Sequence, residues 1–440
     1  MSARSAVDSE AAGSEGAGSA GAVGTASATA DPGTLDWAEA RSRAYAAGRA
    51  AAPEPVELPL AEADGQTLAD PLTTLTDLPA FPTSSVDGWA VRGARPWRVV
   101  GRVLAGGTPP PLTEDGTTAE IATGAMLPDG TTGVLRVEES SRTVDGLVTG
   151  TLRDTPEWRD PGEEAYAGEE LLPAGTAVDP GVIGLAASCG YDTVRVRRAP
   201  RAAVIVFGDE LLTAGSPGAG RVRDSLGPSV PAWLRRYGCV STPADVVGPV
   251  ADTLDAHVAA LRQALETADL VCTTGGTMNG PVDHLHPTLA ALGAQYVVNT
   301  VAVRPGFPML LARVVGADGR TRFVAGLPGN PQSAIVATVS LVAPLLAGLR
   351  GRPMPELPRV TLAEPVAGRG DHTHLALVRV DPVRNTAHPV RHVGSAMLRG
   401  LAQADGFAVI VPGTEGRPGD QVPLVPLPLL PGERFQGGDR

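Results

Sequence analysis

Between Arg201 and Gly351, short fully apolar runs alternate with longer amphipathic stretches. AAVIVFGDEL reads as a buried strand ending in a polar turn. VPAWLRRYG reads as a helix with a glycine stop, STPADVVG as strand-like, and TLDAHVAALRQALETA as an amphipathic helix. DLVCTTGG is a second buried strand, HPTLAALG a helix, RFVAGLPGN a strand and PQSAIVATVSLVAPLLAGL a long helix. Strands and helices alternating at this length predict βαβ units and a parallel-sheet α/β domain.

The flanking regions have other rhythms. Leu35 to Ala51 is alanine-rich and predicts a helix, and VELPLAEADGQTLADPL predicts a strand, a short helix and an extended exit. From Trp97 to Gly150, valine- and threonine-bearing runs broken by Gly and Pro predict a small β domain. PGVIGLAASCG predicts a helix with its glycine stop. Beyond Pro355, short strands at turn-punctuated intervals predict a C-terminal β barrel or sandwich. The expected order is a disordered tail (1–33), an elongated domain in two segments (34–76 and 157–200) around an inserted β domain (77–156), the α/β domain (201–352), the C-terminal β domain (353–430) and a short tail (431–440).

Composition narrows the classes. The Ala/Gly/Ser-rich start has no apolar signal region, so a cytoplasmic location is expected. No run of about 18 apolar residues suggests a membrane span. The net charge of −12 argues against nucleic acid as a partner. Cys189, Cys239 and Cys272 form no C-x-x-C pair and are expected in the core. His284 and His286 are expected to face solvent. H-E-x-x-H, G-x-S-x-G and Walker A motifs are all missing.

Candidate chemistry collects at the predicted strand ends, where α/β sheets bind ligands. TTGG offers Gly275 and Gly276, where bare backbone could approach a phosphate. LPGNPQSA offers Gly329 and Asn330 before a helix start bearing Pro331 and Ser333. VFGDEL offers Asp209 and Glu210, suited to a hard cation. Each could also be an ordinary turn. DLPAFPTSSVDGWAVRG, with Asp87, and IATGAMLPDG, with Thr123, could equally be loops of the small β domain.

Taken in order, these motifs resemble the molybdopterin molybdenumtransferase (MoeA) family, to which the E domain of gephyrin is related. DLPAFPTSSVDGWAVR is similar to the family's D-x-P-x-F-x-x-S-x-M-D-G-Y-A-V-R, IATGAMLP to R-I-x-T-G-A-x-L-P, and FGDEL to T-G-D-E-L. TTGGTMNGPVD is similar to T-G-G-V-S-x-G-x-x-D, AVRPGFP to a K-P-G-K-P box, and LPGNPQSA to L-P-G-N-P-V-S-A. The resemblance runs from about Leu35 to Leu427 and implies a homodimer with active sites in clefts between subunits. The implied reaction inserts molybdate into adenylylated molybdopterin with release of AMP, assisted by Mg²⁺. It implies catalytic roles for Asp87, Thr123, Glu210 and Asp283. Ligand contacts are implied for Thr274, Gly275, Gly276, Gly280, Arg304, Gly329, Asn330 and Ser333, and more loosely for Ser395 and Arg369 in the barrel. The implied metal ligands are Glu210, Asp252 and Asp283. Contact with a molybdoenzyme or another protein of the cofactor pathway is also implied.

Two departures bear on function. In the K-P-G-K-P box Arg304 keeps a positive charge, but Phe307 replaces the second lysine. The lysine expected upstream falls at Asn299 or Thr300. The alternative reading is therefore a catalytically weakened paralogue that binds a pterin or nucleotide, or acts as a scaffold, on the same fold.

Overall fold

The computed structural model describes residues 33–278, 280 and 283–428. Both expected tails, apart from Gly33, lie outside the described residues. At the centre is a six-stranded sheet in the order Val246–Val250, Ala202–Phe207, Leu270–Thr274, Thr321–Leu327, Leu310–Val315, Gln295–Val298. The first four strands are mutually parallel. The last two are antiparallel, so the expected parallel sheet is mixed. The reason is local: Leu310–Val315 and Thr321–Leu327 are joined by the short turn GADGR, which can only make a hairpin. The STPADVVG stretch also differs from expectation. Pro243–Asp245 is a 3₁₀ turn fixed by a reciprocal Thr242–Asp245 cap, and the strand begins at Val246.

The strands Ala202–Phe207 and Leu270–Thr274 are buried at every position. Burial on both faces explains their unbroken apolar character. From Ala202–Phe207 the chain steps outward to Val246–Val250, then crosses back to Leu270–Thr274 on the other side. That reversal opens a crevice at the carboxyl ends of two neighbouring strands, where Gly208-Asp209-Glu210 meets Thr274-Gly275-Gly276.

The apolar helix Pro331–Leu349 is long enough to cross a membrane by length and composition, but it is buried throughout. It is a core helix, with a π-helical segment at Thr338–Val342. The N-terminal helix Trp37–Ala50 packs on it, and Leu35, Trp37, Ala40 and Ala44 share its core with Leu345 and Leu349. A Cβ on Gly48 would stand 2.2 Å from the Leu345 carbonyl oxygen, and one on Gly348 would stand 2.4 Å from that of Tyr45. Residues 35–51 therefore join the core of the α/β unit, while Leu58, Leu68, Val182 and Val196 form a separate one.

Strand Thr373–Asp381 pairs with both Thr386–Pro389 and Gly406–Ile410, and the ring closes through Arg359–Leu362 and Gln421–Pro426. This is a closed five-stranded barrel. Val303–Arg304, from the α/β unit, adds to the barrel strand at Thr373–His374. That join brings the RPGFP segment against the barrel. The inserted β region is a four-stranded sheet containing Gly88–Arg92 and Thr117–Ile121. All three cysteines are free and buried.

Candidate active site

The glycine loop continues the strand Leu270–Thr274. The N–H of Gly275 donates to the Leu327 carbonyl at 2.9 Å, so this amide extends the sheet instead of facing a ligand. Gly275 has φ +89° and Gly276 has φ +68°, a region open to glycine and costly for other residues. The nearest atoms to a Cβ on either residue lie 3.6–3.7 Å away, an ordinary contact. Backbone conformation, and not crowding, is what requires glycine here. The LPGN turn lies alongside, since a Cβ on Gly329 would stand 3.6 Å from the Gly275 Cα.

The helix start at Pro331 is not bare either. The N–H groups of Gln332 and Ser333 donate to the Ser395 carbonyl oxygen at 2.9 and 3.3 Å. A barrel loop thus occupies the donors that the motif seemed to reserve for an anion. Ser395 enters the site through its backbone.

The acids are organised by their loops. Asp252 Oδ2 accepts from the Asp209 N–H at 3.2 Å, and the Asp252 carbonyl lies 3.1 Å from His284 Nε2. Asp283 Oδ2 accepts from the Gly280 N–H at 2.7 Å. Asp252 therefore stands between the Asp209-Glu210 turn and the Asp283-His284 segment. Glu210 is exposed and folds back over Gly208. Among the described residues, no group of three or more His, Cys, Asp or Glu side chains could hold a metal ion.

Sequence reasoning missed His257. It is fully buried, stacks on Phe207 with ring centroids 3.6 Å apart, and meets His284 edge-on at 5.5 Å. Its Nε2 is 3.7 Å from Asp252 Oδ1, and neither ring nitrogen has a hydrogen-bond partner among the described residues. Burial holds His257 below the usual imidazole range, with Asp252 pulling the other way. A polar residue in the first turn of an amphipathic helix gave no signal of this. Nor do His284 and His286 face solvent as expected. Both are half-buried, and His286 Nδ1 is 2.6 Å from the Tyr296 hydroxyl.

Beyond the LPGN turn, a cleft of about 910 Å³ opens between the α/β unit and the barrel. Its walls include Arg304, Phe307, Asn330, Ser333, Arg369, His372 and Ser395, and none of its lining residues is acidic. The Arg304 guanidinium lies over the Phe307 ring at 5.2 Å, and His372 meets that ring edge-on at 5.7 Å. His374 also lines the cleft. Its Nδ1 is 2.7 Å from the Ala367 carbonyl, and burial lowers its pKa.

Asp87 and Thr123 form a separate pair in the inserted β region. Asp87 Oδ1 accepts from the Thr123 N–H at 2.7 Å and from its hydroxyl at 3.1 Å. Asp87 lines a recess of about 150 Å³ with Arg102 and Glu120. Among the described residues, no hydrogen bond joins this pair to the α/β residues.

The comparisons agree along the chain. Residues 35–190 match the MoeA N-terminal region (domain I and II), residues 203–348 the probable molybdopterin binding domain, and residues 359–427 the MoeA C-terminal region (domain IV). The molybdopterin molybdenumtransferase of Staphylococcus epidermidis is 30% identical over 380 residues, covering 82% of this chain and 88% of that one. Its counterpart in Staphylococcus aureus is 30% identical over 314 residues, covering 68% and 72%. A molybdopterin biosynthesis MoeA protein from Pyrococcus horikoshii shares the fold, with a TM-score of 0.72 at 24% identity, over 90% of this chain and 99% of that one. The chain belongs to the molybdopterin molybdenumtransferase (MoeA) family of molybdenum cofactor biosynthesis.

Proposed function

We propose that this chain is a molybdenum insertase that takes adenylylated molybdopterin and molybdate, places the metal on the dithiolene and releases AMP. The observation that carries the reading is the acid-free cleft lined by Arg304, Arg369 and His372, with the acid-bearing strand ends on the other side of the LPGN turn. A tetrahedral oxyanion suits the first and a phosphate-bound cation the second. Cleaving a phosphoanhydride calls for charge neutralisation and positioning, and needs no covalent protein nucleophile.

Mg²⁺ fits this donor set as a shared ion. It is commonly held by one or two carboxylates plus substrate phosphates. One or two of Glu210, Asp252 and Asp283 would hold it, and the Oδ1 atoms of both aspartates accept none of the hydrogen bonds described above. When bound, it would neutralise charge on the phosphates. The chain's own residues do the rest. Thr274, Gly275, Gly276 and Gly280 shape the loop beside the ligand, and Gly329, Asn330 and Ser333 divide the acidic from the basic side.

Asp87 and Thr123 enter this reading as the facing wall of a site completed by a second subunit, in a cytoplasmic homodimer. Light scattering tests that assembly, and a monomer at micromolar concentration would remove the composite site. The reaction is tested by supplying adenylylated molybdopterin, molybdate and Mg²⁺ and measuring AMP. Release that depends on all three supports the insertase. Phe307 in a lysine position favours the second reading, a paralogue that binds ligand without turnover. Tight binding with no AMP would establish it.

A further inference from the structure

A second cationic recess lies on the barrel, outside the cleft. It holds about 490 Å³ and is lined by Arg379, His388, Arg391, His392, Arg399 and Gln403, together with Pro389 and Val390, which it shares with the cleft. No lining residue is acidic. In a chain of net charge −12, three guanidinium groups on one small concavity need an explanation. Many other arginines of this structure are paired with carboxylates, among them Arg102, Arg136, Arg195 and Arg320. Arg379, Arg391 and Arg399 have no side-chain hydrogen bond or ion pair among the described residues, and all three are exposed. One carboxylate stands on the rim: Glu364 Oε1 lies 3.6 Å from His388 Nδ1.

The backbone builds this arrangement. Arg379 and His388 are directly opposite in the antiparallel pair Thr373–Asp381 and Thr386–Pro389, so their side chains leave the same face. On the other rim, a Cβ on Gly400 would stand 2.8 Å from the His392 carbonyl oxygen and 3.0 Å from that of Arg391. Only glycine lets the two segments touch there, and the contact sets Arg399 beside Arg391. His392 adopts φ +58°, a left-handed conformation uncommon outside glycine. Such strained residues gather at ligand sites.

We propose that this recess is an accessory anion site for a phosphate-bearing small molecule, held by Arg379, Arg391 and Arg399, with His388 and Gln403 as further hydrogen-bonding groups. It is independent of the reaction assigned to the cleft. Guanidinium forks match phosphate oxygens two at a time, and the volume suits a group of nucleotide or pyrophosphate size.

Calorimetric titration of the full chain with pyrophosphate at low salt tests this. Two anions per chain are expected. Arg379→Glu, Arg391→Glu and Arg399→Glu combined should remove one and leave the other, while Arg304→Ala should weaken the remaining one. Arg391→Ala alone should weaken the accessory site about tenfold. Arg384→Glu, on the neighbouring turn, should change neither. Melting curves accompany each variant, and the exposed positions should leave them unaltered. Repeating the titration with inorganic phosphate and with AMP separates the sources: AMP markedly tighter than phosphate assigns a nucleotide, and equal affinity assigns free phosphate. A triple variant that binds as many pyrophosphates as the parent protein, with the same affinities, overturns the proposal. Loss of AMP release from the cleft with two pyrophosphates still bound would sink the insertase reading alone.

Discussion

The two sides of the LPGN turn hold charge in opposite ways. On the acidic side each aspartate is fixed by a loop backbone: Asp252 by the Asp209 N–H, Asp283 by the Gly280 N–H. On the basic side the charges are looser. Arg304 rests on an aromatic face and Arg369 is exposed. The difference follows from the chemistry of the groups. A short carboxylate can be oriented by nearby amides with little loss of side-chain entropy, and a long guanidinium is costly to hold still. Positions on the acidic side should therefore be intolerant of change, and those on the basic side graded.

The sharpest test of that contrast is Asp283→Ala. It removes both a proposed cation ligand and the hydrogen bond that closes the loop at Gly280. AMP release should fall at least about a hundredfold, the scale of losing one preorganised electrostatic group. The melting temperature should change little because Asp283 is only half-buried. Unchanged turnover would mean that the carboxylate only shapes its turn.

A smaller effect is expected at Gly276→Ala. The added methyl has room, but φ +68° costs a non-glycine residue roughly 1–2 kcal/mol. A lower melting temperature should accompany nearly unchanged affinity for AMP in the folded fraction. Preserved stability with lost binding would show instead that the loop presses against the ligand.

Much of this was legible in the sequence. Buried strands ending in GDE, TTGG and LPGN mark the carboxyl edge of the sheet, because apolar runs must stop where backbone turns. What stayed hidden depended on contacts between distant segments. The capping of Gln332 and Ser333 by Ser395 joins residues about sixty positions apart. The seating of Gly48 against Gly348 brings a helix assigned to one domain into the core of another. His257 looked like a polar position on an amphipathic helix, and only the fold stacks it on Phe207. The charge of the cleft was also hidden. Motif matching counted missing lysines and reached Arg369 only loosely, while His372, also from the barrel, gave no signal at all.

Acidification should act on both sides through one buried and one half-buried histidine. Burial lowers the pKa of His257 and of His374 in the folded protein. The unfolded chain then binds protons more readily, so stability rises with pH across the window from the depressed folded values up to about 6.5. Denaturant midpoints should fall as pH drops below about 6.5, and His257→Phe should flatten part of that slope. An unaltered slope would mean that His257 is not held neutral by its surroundings.

The smallest and most informative effect concerns Phe307→Lys, which restores the family's second cation. Counting charges alone predicts tighter phosphate binding. The geometry predicts a near cancellation. The Arg304 guanidinium lies 5.2 Å from the Phe307 ring centroid, so the substitution removes a cation–π contact worth about 0.5–1 kcal/mol at an exposed site. It also places an ammonium beside a guanidinium, at a cost of about 1 kcal/mol or less in water at that distance. A new lysine–phosphate contact would return a similar amount, about 1 kcal/mol. Phosphate or molybdate affinity at low salt should therefore move by no more than about threefold. In an Arg304→Ala background neither penalty remains, and the same Phe307→Lys change should tighten the anion by about fivefold. That gain should fade as salt is raised. A strong gain in the parent protein would show that Phe307 only blocks the cleft. No gain in either background would place residue 307 outside the ligand's reach. A gain confined to the Arg304→Ala background would show that the aromatic ring here serves to hold the single arginine of the box in place.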